Sequence, residues 1–279
     1  EIGSLPLPLP QTIHPMAKKK TVYHCNECGA QYPKWQGFCS QCGVWNSIEE
    51  EEIIVGKQDK PSQSFTAHSL TSKPVRLSDI EQRAETRLTM GDPELDRVLG
   101  GGLVEGSFVL LGGEPGIGKS TLILQTVLRL PYKTLYVSGE ESLSQLKMRA
   151  DRIGDTNGDC LIYTETSLEK ILHTAQEVAP QLLVIDSIQT IQTELSDSSP
   201  GSVSQIRECA TALLKYCKTE GVAVILIGHI NKEGSIAGPK VLEHTVDVVL
   251  QFDGDKHYMY RILRGQKNRF GSTAELGIY

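Results

Sequence analysis

The run Gly113-Glu114-Pro115-Gly116-Ile117-Gly118-Lys119-Ser120 matches every fixed position of the G-x-x-x-x-G-K-[ST] phosphate-binding loop. Such a loop turns its backbone N–H groups inward on a triphosphate, and glycines leave the room that this turn requires. Lys119 is expected to reach the β- and γ-phosphates and Ser120 to ligate Mg²⁺ through its hydroxyl, with Thr121 completing the nucleotide contacts. An apolar strand at 107–111 and an amphipathic helix at 121–130 supply the context that the motif demands. Without them, a glycine-rich turn between strand and helix would account for the same residues.

Hydrolysis needs further groups at the same edge of a sheet. Leu182-Leu183-Val184-Ile185-Asp186 is an apolar strand ending in an acid, so Asp186 is expected in the Mg²⁺ shell beside Ser120. Ser187 follows where many phosphate-loop proteins carry a second acid, so the group that activates water must come from another strand. Glu140 is the first choice and Glu141 the second, both closing the strand Leu135-Tyr136-Val137-Ser138-Gly139. Either acid could instead only favour the start of the next helix. His229 ends the apolar run 222–228 and is placed to sense the γ-phosphate, unless it is a hydrogen-bonded core histidine. The glycine-bearing loop at 231–239, with Lys232 and Lys240 at its ends, would pass that state on.

Lys267 and Arg269 are two apart in an extended segment, so they leave the same face and suit one phosphate group. The phosphate loop already holds a lysine, so the pair makes sense as a finger reaching into a neighbouring subunit of a ring. An exposed charge pair is the plainer alternative.

Cys25, Cys28, Cys39 and Cys42 form C-x2-C-x10-C-x2-C, the spacing of two knuckles around one tetrahedral Zn²⁺. Four protein ligands leave no open position, so the metal would be structural. Two disulfides compete with this reading in an oxidising compartment. Trp35 and Trp45 are the largest apolar side chains available to such a module. Cys160, Cys209 and Cys217 lack ligand spacing and fit neutral buried thiols.

These groups need a frame. The 279 residues suffice for one sizeable α/β domain and a small module, and the 39% apolar content suits a globular protein without a membrane span. A net charge of −6 excludes binding to nucleic acid by bulk electrostatics, leaving local patches such as 256–270, which carries five cations and no acid. No secretory leader is evident, which points to a cytoplasmic protein. Met16-Ala17-Lys18-Lys19-Lys20 resembles a natural start, so residues 1–17 read as a disordered or foreign segment outside the fold. The expected order is a zinc ribbon over 18–46, a polar linker over 47–75 and a nucleotide-binding domain over 76–279. In the last, strands near 107–112, 134–138, 181–186, 222–228 and 246–252 alternate with helices near 119–130, 142–153, 168–179 and 202–218. That alternation predicts an α/β domain with a mainly parallel sheet, closed by two strands after 258.

In this order, the motifs resemble the RadA/Sms family of bacterial DNA repair and recombination proteins, a branch of the RecA-like ATPases. The likeness rests on the cysteine ribbon with Lys34-Trp35 inside it, the 96–102 run DRVLGGG, the phosphate loop, Gly139-Glu140-Glu141-Ser142 and Asp186-Ser187-Ile188-Gln189. Pro200-Gly201-Ser202-Val203, Ile236-Ala237-Gly238-Pro239 and Lys267-Asn268-Arg269-Phe270-Gly271 extend it. The resemblance implies a bacterial, cytoplasmic RecA-like ATPase that binds single-stranded and branched DNA, forms hexameric rings and drives branch migration alongside the RecA recombinase. It also implies that Lys267-Asn268-Arg269-Phe270-Gly271 couples ATP, DNA and neighbouring subunits. The family pattern continues into a domain resembling the Lon protease, beyond Tyr279. A nucleotide-gated interaction protein without motor activity is the rival expectation.

Overall fold

Six parallel strands carry the larger domain, and the four central ones are buried along their whole length because helices cover both faces of the sheet. The computed structural model describes residues 18–25, 30–55, 76, 79, 86–154, 159–196, 198–229, 240–254 and 259–279. The N-terminal module contains β1 (Lys18–Cys25), β2 (Gln31–Tyr32) and β3 (Ile48–Val55), in the order β2-β1-β3 and antiparallel throughout. The acidic run at 49–52, expected to open the linker, is therefore strand. It pairs with residues 21–24 of β1, Glu49 opposite His24 and Glu52 opposite Thr21.

β4 (Arg87–Leu88) and β5 (Leu103–Val104) pair around α1 (Pro93–Leu99). Then follow β6 (Phe108–Gly113), α2 (Lys119–Val127), β7 (Thr134–Ser138), α3 (Leu143–Ile153), β8 (Cys160–Thr164), α4 (Leu168–Val178) and β9 (Leu182–Asp186). The chain continues through α5 (Val203–Glu220), β10 (Ala223–Ile227), α6 (Lys240–Thr245), β11 (Val248–Gly254), β12 (Arg261–Asn268) and β13 (Leu276–Ile278). The sheet order is β13-β12-β11-β6-β10-β9-β7-β8, parallel from β11 to β8, with β12 and β13 antiparallel.

Alternation along β6 sends Val109 and Leu111 into one apolar cluster with α1, α2 and α3, and Phe108 and Leu110 into another with α4 and α5. Local signals set the helix ends. Ser142 and Gln145 form a reciprocal capping box on α3, and Ser202 caps α5, which stops at Gly221. β8 escaped the sequence reading because it is an edge strand whose alternation is blurred, with Leu161 exposed. Among the described residues no helix is long and apolar enough to cross a membrane.

Candidate active site

The loop between β6 and α2 lies at the carboxyl edge of the sheet, where β7, β9 and β10 also end beside it. Gly118 caps α2 with φ 112°, a left-handed conformation that favours glycine, and no side chain caps the helix. The first N–H groups of α2 therefore remain open to an anion. Lys119 is only 3% exposed, and its Nζ donates to Gly113 O at 2.8 Å and Glu114 O at 2.9 Å. Burial lowers the Lys119 pKa, while the nearby charges of Asp186 and Glu140 act in the opposite sense.

Asp186 ends β9 within reach of this loop. Ser120 Oγ donates to its Oδ1 at 3.0 Å, and the phenol of fully buried Tyr136 donates to its Oδ2. Burial raises the Asp186 pKa, hydrogen bonds from Tyr136 and Ser120 oppose the rise, and Glu140 adds to it. A hydroxyl and a carboxylate oxygen converging in this way are hard donors that fit a Mg²⁺ ion. Tyr136 had no signal in the sequence beyond a polar tip inside an apolar strand.

The two acids after β7 have different environments. Gly139 passes so close to Thr190 that a Cβ there would lie 2.1 Å from Thr190 Oγ1, which fixes the path of the following residues. Glu141 pairs with Arg149 at 2.6 Å, and Arg149 also donates to Thr121 Oγ1 at 3.0 Å. Glu140 instead accepts a hydrogen bond from Ser187 Oγ at 2.5 Å, and its Oε1 is 3.4 Å from His229 Nε2. His229 Nδ1 lies 3.4 Å from Lys119 Nζ, so the ring bridges the loop lysine and the freer acid. Thr121 is thus tied to Arg149, an arginine 28 residues away in sequence, beyond β7, which nothing in the local pattern singles out.

Lys267 and Arg269 do not join this group. Both sit at the opposite edge of the sheet, where Lys267 Nζ donates to Glu243 O at 2.8 Å and Val246 O at 2.6 Å. Arg269 Nη1 is 3.3 Å from Asp247 Oδ1, a buried carboxylate that also pairs with Lys218 and accepts from Phe108 N at the start of β6. Asn268 Oδ1 accepts from Phe270 N, Arg87 holds Phe270 O, and Gly271 abuts Gly100. The expected same-face clamp is therefore two separate contacts, with Lys267 satisfying carbonyls at the end of α6. Lys240 opens α6, and Lys232 lies outside the described residues.

In the ribbon, Cys25, Cys39 and Cys42 bring their sulfurs within 4.8 Å of one another, and Cys28 lies outside the described residues. The Cys25 and Cys42 sulfurs are 3.6 Å apart, near the roughly 3.8 Å expected around a tetrahedral Zn²⁺ with Zn–S bonds of about 2.3 Å. Tyr32 OH and Ser47 Oγ lie 3.1 and 3.2 Å from Cys39 and Cys25 sulfurs, where hydroxyls support thiolates. The donor set fits structural zinc. The tryptophans differ from expectation, since Trp35 and Trp45 are 62% and 70% exposed and the small core is Cys25, Cys39 and Ile48. Cys25 and Cys39 fill the interior with Ile48, and both indoles lie outside it. Cys160, Cys209 and Cys217 are held as thiols by burial, with pKa values pushed up to about 11, 12 and 12.

Comparison with known proteins agrees with this geometry. An AAA domain model matches residues 71–235 and a rubredoxin metal binding domain model matches 23–50. The DNA repair protein RadA of Halalkalibacterium halodurans is 50% identical over 95% of this chain and 58% of its own length. RadA of Bacillus subtilis and RadA of Escherichia coli are each 48% identical over 95% of the chain, covering 58% and 59% of those proteins. This chain thus spans under two thirds of the relatives it matches. A KaiC-like protein from the archaeon Pyrococcus horikoshii shares the fold, with a TM-score of 0.57, 22% identity, and 70% and 100% of the two chains covered. A phosphate loop on a RecA-like sheet, an AAA domain match over more than half the sequence and a likeness extending through the ribbon lead to one assignment: the chain belongs to the RadA family of AAA-domain proteins.

Proposed function

We propose that this chain is an ATP hydrolase of DNA repair, which couples turnover to movement on single-stranded and branched DNA. The observation that carries the ATPase reading is the convergence of Lys119, Ser120 with Asp186, Glu140 and His229 at the ends of four adjacent strands. The loop amides and Lys119 would hold the phosphates, and Asp186 with Ser120 would hold Mg²⁺, which would supply positive charge to offset that of the phosphates. Glu140, oriented by Ser187, takes a proton from water as the water oxygen bonds to the γ-phosphorus and ADP leaves. Glu141 is already committed to Arg149, which favours Glu140 for this task. His229, in contact with both Lys119 and Glu140, reports phosphate occupancy to the 231–239 loop.

DNA repair and RadA-type branch migration come from the likeness to the RadA proteins, as do a hexameric ring and action with the RecA recombinase. The position of Lys267 and Arg269 supports a role in trans. β6 alone puts about 20 Å between the Asp247 edge and the phosphate loop, so these cations cannot serve their own nucleotide. The test is ATP turnover by the purified protein with single-stranded, duplex and forked DNA at several salt concentrations. Stimulation by single-stranded DNA is expected. Turnover indifferent to every DNA, with nucleotide-dependent protein binding instead, would favour a nucleotide-gated interaction protein.

A further inference from the structure

β12 runs from one edge of the sheet to the other, so its first residue, Arg261, lies at the phosphate-loop edge, far from Lys267 and Arg269. Register puts it there: β11 pairs Phe252 with Gly113, and two residues on, Gly254 opposes Arg261. A Cβ built on Gly118 would lie 3.4 Å from Arg261 Nη1 and 3.8 Å from its Cζ, so the guanidinium stands over the N-terminus of α2. Its backbone is anchored, because Arg261 and Tyr279 exchange two 2.8 Å hydrogen bonds. Tyr279 in turn packs edge-on against Phe252, with ring centroids 5.5 Å apart, and bonds to Asp92 through its hydroxyl. The side chain is exposed, and its guanidinium makes no hydrogen bond or ion pair with the described residues. The acid nearest in register, Asp253, is engaged by Arg264.

Resting on the ATPase reading, we propose that Arg261 contacts the polyphosphate of the nucleotide held in its own subunit's loop. A planar guanidinium presents forked N–H donors that suit phosphate oxygens, and an anchored root limits the ordering cost of using them. Among the described residues, two further cations near the loop are occupied: Lys119 by loop carbonyls and Arg149 by Glu141 and Thr121. Among the described residues, Arg261 is a guanidinium still available to a ligand beside Gly118.

The test is calorimetric titration of the parent chain, Arg261→Ala, Arg261→Lys and Lys119→Ala with Mg·ATP, Mg·ADP and adenosine, at low and moderate salt. Arg261→Ala should weaken ATP and ADP about tenfold, leave adenosine unchanged and lose less as salt rises, with Arg261→Lys between it and the parent. Zinc content and melting temperature verify that the variants fold. Parent-like ATP affinity in Arg261→Ala, with Lys119→Ala still defective, overturns the proposal alone. So does an equal loss for adenosine, which would mark a packing role. A parent chain that fails to bind Mg·ATP overturns the ATPase reading itself.

Discussion

His229 Nε2 lies 3.4 Å from Glu140 Oε1, while the other nitrogen of the same ring faces Lys119 Nζ at 3.4 Å. One neutral tautomer satisfies both contacts, accepting at Nδ1 from the ammonium and donating at Nε2 to the carboxylate. Glu140→Gln should therefore lower ATP turnover by about 100-fold or more while leaving ATP affinity within a few-fold. Glu141→Gln should cost less than about tenfold in turnover, because its carboxylate serves Arg149 rather than water. Steady-state kinetics beside nucleotide titration measures both, and equal losses would remove the distinction between the two acids.

Asp186 carries a stability cost that its chemistry explains. Burial raises its pKa above the ordinary 3.8, so the fold prefers the protonated acid. Its contribution to stability is present below that ordinary value and is lost as pH rises through the raised one. Asp186→Asn should raise the melting temperature by a few degrees at neutral pH, with the gap to the parent narrowing toward acid pH, and should abolish turnover. A melting temperature that falls equally at every pH would show that the carboxylate is held by its donors rather than strained by burial.

The ribbon can be followed separately from the ATPase domain, since Trp35 and Trp45 are the two tryptophans of the chain. Strong chelation should release one Zn²⁺ per chain and change tryptophan emission, while Mg·ATP binding persists once Mg²⁺ is restored. Absorbance with a metallochromic dye counts the ion. Cys39→Ser should reproduce the emission change, and a chelated protein with unaltered emission would argue against zinc as the organising centre.

Lys267 and Arg269 predict different phenotypes despite their spacing. Lys267→Ala removes donors from two carbonyls at the end of α6 and should cost about 1–2 kcal/mol of stability. Arg269→Ala should melt nearly as the parent and bind ATP normally but hydrolyse it poorly. Mixing Arg269→Ala with Lys119→Ala subunits should raise turnover above that of either alone, because some interfaces then combine an intact loop with an intact arginine. No recovery on mixing would exclude the trans role.

Much of this protein was legible in one dimension because the relevant physics is local. A phosphate loop is a contiguous run between strand and helix, a metal knuckle is two cysteines at fixed spacing, and a buried parallel strand is an uninterrupted apolar stretch such as 182–185. Chain order alone therefore determined the sheet type, the ribbon, and the nomination of Lys119, Ser120, Asp186, Glu140 and His229. Tertiary structure decided what depends on strand order and on which edge a residue meets. It brought Tyr136 to Asp186 across adjacent strands, tied Glu141 to Arg149, and set Arg261 beside Gly118 while carrying Lys267 and Arg269 to the far edge. It also made the acidic run at 49–52 a strand and put both tryptophans on the surface. Pairings of this kind are made by segments distant in sequence, and side-chain type and spacing carry no record of them.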